Sequence, residues 1–324
     1  MNGIRALLLG WALVASVQGP LAYAQAFPTK SIELVVHTGP GGGADLFARQ
    51  VAEVIQREKY LPQPFVISNR AGGGGGTAML YAAGKRGDPH VVLAVAAMLM
   101  MSVPVRSGLD VGLDKYQPIA LMGYDLNAVT VRGDSPYKTF KDLLDAARAN
   151  PKSISIAHGS IGGVSHYLPF MVQKLSGATF TMVSMKSGAE AVTGVLGGHL
   201  NVTTEQISEM VQYIEGGQLR VLAVASVTRV PALPNVPTLK ELGLDLHVGA
   251  GRGFYAPAGV PASAVTTLET AFERAYKSAS WQDYMKQHLY EPLFLNSAGF
   301  LKHQQEMQPK VVQYITELGL VEKK

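Results

Sequence analysis

The sequence predicts an α/β protein built as two lobes, each a mainly parallel sheet flanked by helices. Three observations carry that expectation. From Phe27 onward, short apolar runs alternate with amphipathic ones, the pattern of parallel strands joined by crossover helices. The alternation runs through twice, each time with glycine-rich connections between a strand and a helix. The chain's 324 residues also exceed what one ordinary hydrophobic core organises.

The elements follow in order. "SIELVVHT" is the first strand. "ADLFARQVAEVIQRE" places Ala48, Val51, Ala52 and Ile55 at the i, i+3, i+4, i+7 spacing of a packed helix. "FVISN" and "VVLAVA" are the next strands, and "AMLMMSVPV" continues as an apolar turn or helix start. In the second set "NAVTVRG" is a strand, followed by the helix "SPYKTFKDLLDAARANP", opened by Ser135-Pro136. Strand "SISIAHG", helix "SHYLPFMVQKLSG", strand "FTMVSM", helix "GAEAVTGVLGG" and strand "HLNVTT" continue it. After "LRVLAVAS" and a proline-punctuated stretch, two long helical patterns close the chain. Placing the crossings near residues 124 and 250 gives one lobe of residues 25–124 plus 250–324 and another of residues 125–249. Strand C-termini and helix N-termini would then face a cleft between the lobes, where open α/β sheets place ligands.

Residues 1–24 stand apart. Arg5, the apolar run from Ala6 to Val17 and the small-residue pattern Ala22-Tyr23-Ala24 read as a signal peptide cleaved after Ala24. The alternative, a membrane anchor, needs about 20 apolar residues. The chain has no cysteine, so neither disulfides nor a lipidated cysteine is expected. The formal charge of +4 falls to +3 without Arg5, too small and scattered for a nucleic-acid reader.

The connection "HTGPGGGADLFAR" is where chemistry is expected. In the loop beginning at Pro40, Gly41, Gly42 and Gly43 reach conformations closed to other residues and present consecutive N–H donors. The helix starting near Ala44 adds unpaired N–H groups and the positive end of its dipole, so a carboxylate can be held there without a lysine. Asp45 reads either as a capping residue or as a ligand contact, and a tight turn is the bland reading of the whole loop. A second run contains Gly75, Gly76 and Thr77. The second half repeats the design with Gly159, Ser160, Ile161, Gly162 and Gly163 before a helix starting near Ser165. Ser165 is placed as its N-cap, and His166 reads as a structural or a ligand-facing group.

Gly39, Gly41 and Ala44 satisfy a loose dinucleotide fingerprint. The acidic residue that should close the second strand is missing, because Asn69-Arg70 stands there. No Gly-Lys-Ser/Thr follows a glycine loop, so a P-loop fails as well. No cofactor is expected.

Six blocks taken together resemble the tripartite tricarboxylate transporter receptor family, the Bug family of periplasmic solute-binding proteins. They are "FPTKSIELVVHTGPGGGADLFAR", "ISNRAGGGGG", "ANPKSISIAHGSIGGVSH", "MKSGAEAVTGVLGGHL", "RVPALPNVPTLKELG" and "GFYAPAGVPASAV". The resemblance covers essentially all of the chain after the leader. It implies a two-lobed Venus-flytrap fold, a periplasmic location and one glycine loop from each lobe. It also implies a ligand carboxylate gripped by backbone N–H groups and bridging water, without an arginine or lysine salt bridge. This chain departs from the pattern at several positions. Gly39 replaces the first of two prolines, Gly76 an asparagine, and Gly163 a hydroxyl residue that usually faces the ligand. Glu205-Gln206 replaces Asp-Asn, Asn201 an aspartate, and Arg252 an aromatic residue. These changes imply a cavity unlike those of simple dicarboxylate binders. Arg252 reads either as a bidentate partner for a second ligand carboxylate or as part of an internal ion pair. Lys186 and Ser187, which begin the next helix, are placed at the cleft in the same reading, whereas Arg70 ties the glycine run to its own lobe.

An enzyme needs a nucleophile with an acid and a base. No Gly-x-Ser-x-Gly elbow and no His-x-x-x-His pair occurs, which leaves an exported enzyme as the weakest reading. The expectation is a monomeric receptor for a small organic anion, serving the membrane subunits of a tripartite transporter. A receptor signalling to a membrane sensor kinase is the alternative. No metal is expected.

Overall fold

The computed structural model describes residues 27–322, so the leader assigned to residues 1–24 lies outside the described residues. The first set of elements runs β1 (Ile32–Val36), α1 (Gly43–Arg57), β2 (Phe65–Asn69), α2 (Gly76–Ala83), β3 (Val91–Ala96), α3 (Ala97–Ser107) and β4 (Tyr116–Leu126). The second runs β5 (Ala128–Arg132), α4 (Phe140–Ala149), β6 (Ser155–His158), α5 (Val164–Ser176), β7 (Thr181–Ser184), α6 (Gly188–Leu196), β8 (Val202–Thr203), α7 (Val211–Glu215) and β9 (Leu219–Val224). A 3₁₀ turn, Ile207–Glu209, lies between β8 and α7. The chain closes with β10 (Gly249–Pro257), α8 (Ala262–Lys277), α9 (Ala279–Gln287), β11 (Leu295–Asn296) and α10 (Ser297–Glu317).

These elements form two sheets, ordered β11-β4-β10-β3-β1-β2 and β7-β6-β8-β5-β9, the α/β two-lobed architecture expected. Each sheet is mixed rather than mainly parallel as expected, because β10 and β5 enter antiparallel to their neighbours. The parallel pairs are β1 with β2 and β3, and β6 with β7 and β8. β10 runs antiparallel to β3 and β4, and β5 antiparallel to β8 and β9. Parallel register is thus confined to the strands that feed the glycine loops and their immediate neighbours.

The strands at the centre read as near-continuous apolar runs because both faces are covered. Ile32, Leu34, Val35 and Val36 of β1 are fully buried. α1 turns Phe47, Ala48, Val51, Val54 and Ile55 onto the sheet. Phe47 packs edge-on to Trp281 at 4.9 Å, and Phe254 stacks on Phe272 at 4.4 Å. In the second lobe, Phe140, Leu143, Ile154, Ile156, Leu168 and Val172 form the equivalent core.

β4 was not legible as a strand, since Pro118, Gly123 and Asp125 interrupt its apolar run. It leads directly into β5, and β10 returns beside it with Ala250 opposite Asp125 and Gly251 opposite Tyr124. This antiparallel pair carries the passage between the sheets. α10 spans it from outside: Val311, Tyr314 and Ile315 pack with Met101 of α3 and with Tyr167 and Phe170 of α5.

Candidate functional site

The first glycine loop is anchored by its own helix. Gly41, at φ +80°, donates its N–H to Asp45 Oδ2 at 2.9 Å. Asp45 is buried and also accepts from Arg49 Nε at 2.9 Å and Asn69 Nδ2 at 2.8 Å. Burial alone would raise its pKa; the bonds from Arg49, Asn69 and Gly41 outweigh that and hold it below the usual value. Asp45 therefore fixes the loop, and its oxygens are committed inside the lobe. Gly42 is the N-cap of α1 and bonds Gly39 O at 3.2 Å. Among the described residues, the N–H groups of Gly43 and Ala44 at the helix head have no protein partner. Pro40 is exposed at the turn.

The second glycine run turns its carbonyls, rather than its amides, toward a cation. Arg106 of α3 donates through Nη2 to Gly73 O at 3.2 Å and Gly74 O at 3.0 Å. Gly75 and Gly76 are buried beside His37 and Leu99 and beside Leu109 and Val103. Thr77 is exposed. His37, at the end of β1, bonds Ala94 O through Nδ1 at 3.3 Å, and burial pushes its pKa down to about 4, leaving it neutral.

In the second lobe the loop after β6 is held by residues from elsewhere in the site. Gly159 N–H donates to Glu205 Oε1 at 2.5 Å, and Gly162 N–H to His166 Nδ1 at 3.2 Å. Gly163, whose N–H reaches Ser160 O at 3.1 Å, is the N-cap of α5. This corrects the expectation that Ser165 caps that helix. The turn is so tight that a Cβ at Gly163 would overlap Ser160, so the helix begins early and leaves Ser165 buried in its first turn. His166 stacks on His158 with rings 4.2 Å apart and nearly parallel. Burial lowers both imidazoles to about 4, so two neutral rings stack without repulsion. At α6, Ser187 is the N-cap and accepts from Glu190 N at 3.2 Å, while Lys186 is exposed.

Between these loops lies a group of charges. Arg252 on β10 and Asp125 on β4 form a buried ion pair, and Ser208 Oγ donates to Asp125 Oδ2 at 2.7 Å. Arg252 thus takes the internal-pair reading in this structure. Glu209, on the 3₁₀ turn of the second lobe, reaches across to the first. A Cβ built at Gly43 would sit 2.9 Å from Glu209 Oε1 and 2.9 Å from Arg252 Nη2. A Cβ at Gly188 would overlap Glu209 Oε2 and lie 3.0 Å from Glu205 Oε2. Glycine at these two positions serves close approach, not backbone conformation. The carboxylate of Glu209 consequently bridges the heads of α1 and α6, one helix from each lobe. Burial, reinforced by the other carboxylates, raises the pKa values of both Glu205 and Glu209.

The lobes touch at a second place as well. A Cβ at Gly162 would meet Arg106 Cδ at 3.0 Å and Ile315 Cδ1 at 3.1 Å. Gly43, Glu205 and Arg252 are brought together through Glu209, and Gly162 meets Arg106; Pro40, Thr77 and Lys186 are exposed. The sequence reading missed Glu209, Asp125 and Arg106. Asp125 had a signal, an aspartate inside the apolar run "IALMGYDLNAVTV". Glu209 follows Glu205 by four residues, which only the 3₁₀ turn makes meaningful.

Among the described residues no group of three or more metal-ligating side chains converges on a common point. Ser184 Oγ lies 3.1 Å from His158 Nε2, but His158 Nδ1 has no side-chain partner to orient it as a base. No helix among the described residues is long and apolar enough to cross a membrane.

Comparison with known proteins agrees with this geometry. Residues 47–320 match the family model described as the tripartite tricarboxylate transporter family receptor. The chain is 30% identical over 303 residues to the "UPF0065 protein in gbd 5'region" of Cupriavidus necator, covering 92% of this chain and 90% of the relative. Among solved structures it is similar to the periplasmic binding protein BugD, with 26% identity, a TM-score of 0.82, and coverage of 92% and 100% of the two chains. It shares the fold of R. palustris Rpa4515, solved with adipate, at 23% identity and a TM-score of 0.83, covering 91% and 99%.

Proposed function

The chain belongs to the tripartite tricarboxylate transporter receptor family, and we propose that it is an exported solute receptor whose cleft closes on a small carboxylate-bearing molecule. Delivery is to the membrane subunits of a tripartite transporter. One observation supports this most directly: after each glycine loop a helix begins with N–H groups unpartnered among the described residues, those of Gly43 and Ala44 at α1 in the first lobe and of Val164 and Ser165 at α5 in the second. Unpaired N–H groups and the dipole at a helix head favour negative charge. Because the heads belong to different lobes, an anion between them favours the closed form over the open one. Closure presents the partner with a surface that the open form lacks. A solute bound by a relative, such as adipate by Rpa4515, indicates the size of molecule the fold accepts.

Binding of a solute stabilises the folded protein by about 2.7 kcal/mol at a hundredfold excess over Kd. The purified mature protein is therefore expected to melt at a higher temperature with at least one member of a panel of small carboxylic and amino acids. A broad panel producing no shift would count against the receptor reading.

A further inference from the structure

The second glycine loop hangs from an imidazole. Gly162 donates its N–H to His166 Nδ1 at 3.2 Å, so that nitrogen carries no proton and His166 is neutral with its hydrogen on Nε2. A proton arriving at Nδ1 would set two donors against each other and end the bond. Gly162 sits at φ +70°, and a Cβ there would meet Arg106 Cδ at 3.0 Å. The bond therefore fixes the loop where it faces the other lobe.

His158 sharpens the response. Its ring lies 4.2 Å from that of His166 at an interplanar angle of 3°, and both residues are buried. Two imidazolium rings at that spacing repel each other strongly. His158 Nε2 lies 3.1 Å from Ser184 Oγ, and Ser184 is exposed on β7, so the pair is one hydrogen bond from solvent.

The groups around the pair do not offset this. Tyr314 of α10, edge-on to His166 at 6.2 Å, and Tyr167 have their hydroxyls pushed up by burial and stay neutral. Arg106 of α3 adds positive charge beside Gly162. Glu205, beyond β8, holds the same loop at Gly159. Burial raises its pKa, so acid brings it a proton and removes the negative charge that would have steadied an imidazolium.

We propose that His166, with His158 stacked on it, is a positioning residue that releases the second glycine loop in acid. With the loop in place, burial holds both rings down to about 4, whereas a freed loop returns them toward the ordinary 6.5. The bond to Gly162 is thus fully present above pH 6.5 and is lost as pH falls toward 4. At pH 5 the freed loop gains about thirtyfold from His166 alone. The first loop lacks this response, because Gly41 is held by Asp45, whose pKa lies below the ordinary 3.8. In the receptor reading, on which this consequence alone rests, solute held near neutral pH is surrendered as the surroundings acidify.

The test is amide hydrogen exchange on the mature protein without solute, with rates corrected for the intrinsic effect of pH. Protection of residues 159–166 is expected to fall about tenfold or more between pH 7 and pH 5, while residues 41–45 change less than about threefold. His166→Asn places a non-titrating oxygen near the position of Nδ1 and should keep the loop protected at both pH values. His158→Gln, which removes the second charge, should lessen the loss at least about threefold and serves if the first variant does not fold. Protection independent of pH in the wild type overturns the proposal. An equal loss in both loops overturns it as well, because acid would then loosen the whole molecule. So does a loss that persists unchanged in a folded variant. Each of these results leaves the receptor reading standing, since no solute takes part in the measurement.

Discussion

The two glycine loops look alike in sequence and are held in different ways. In the first lobe Gly41 bonds to Asp45, a carboxylate four residues away that Arg49 and Asn69 fix from behind. That loop is assembled entirely within its own lobe. In the second lobe Gly159 bonds to Glu205 and Gly162 to His166, groups that themselves border the cleft. Glu205 lies beside Glu209, which touches the first lobe through Gly43. One loop is thus a platform backed by Arg49 and Asn69, whereas the anchor of the other, Glu205, is coupled by contact to Glu209 and through it to the first lobe. In the proposed receptor, the first loop would give the ligand a fixed place and the second would respond to its arrival.

The comparison breaks most severely at Gly159. A Cβ there would run into the backbone of Ser187 and Gly188, so Gly159→Val must separate β6 from the head of α6. Overpacking against backbone that cannot rotate away is expected to cost roughly 3 kcal/mol or more. Urea unfolding should show the second lobe losing cooperativity first; an unchanged midpoint would mean that the two loops are not tightly apposed.

Asp45→Ala tests the platform. It leaves the Gly41 N–H, Asn69 and Arg49 without their acceptor, a loss of about 2 kcal/mol. The pKa of Asp45 is lowered in the folded state, so its contribution is present above the ordinary value of 3.8 and fades as pH falls through the lowered one. The stability difference between Asp45→Ala and wild type should therefore shrink in acid. A constant difference from neutral pH to about pH 2 would argue that only packing was lost.

The smallest effect sharpens the coupled half. Glu209 has its pKa raised, so its carboxyl favours folding below the ordinary 4.5 and that contribution is lost as pH rises through the raised value. Glu209→Gln is expected to stabilise the ligand-free protein by on the order of 1 kcal/mol near pH 8 and to have little effect near pH 4. Melting curves at the two pH values measure this directly. Destabilisation near pH 8 would mean that the heads of α1 and α6 outweigh the like-charge repulsion.

Much of the architecture was legible because it depends on local periodicity. The apolar face of α1, with Ala48, Val51, Ala52 and Ile55, shows the 3.6-residue repeat and is buried as that repeat requires. The strands β1, β2, β3 and β5 were found as short apolar runs for the same reason. β4 was not, since Pro118, Gly123 and Asp125 interrupt its apolar run. The glycine loops stood out, yet the sequence left open whether their amides were free. Gly41 and Gly42 are internally bonded, whereas Gly43 is not, and only the hydrogen-bond partners make that distinction.

The sequence by itself determined the two α/β sets, the glycine loops between strand and helix, and, through six ordered blocks, the family. Those features are written in neighbouring residues. Tertiary structure decided the character of the cleft. Asp125, Glu205, Glu209 and Arg252 come from separate strands and turns, Arg252 lying 127 positions after Asp125. Charge at such a site depends on which side chains are brought together and stripped of water, and no local pattern encodes that. An arginine that the sequence offered as a ligand partner is occupied by an aspartate, and a glutamate that no motif marked spans the gap between the lobes.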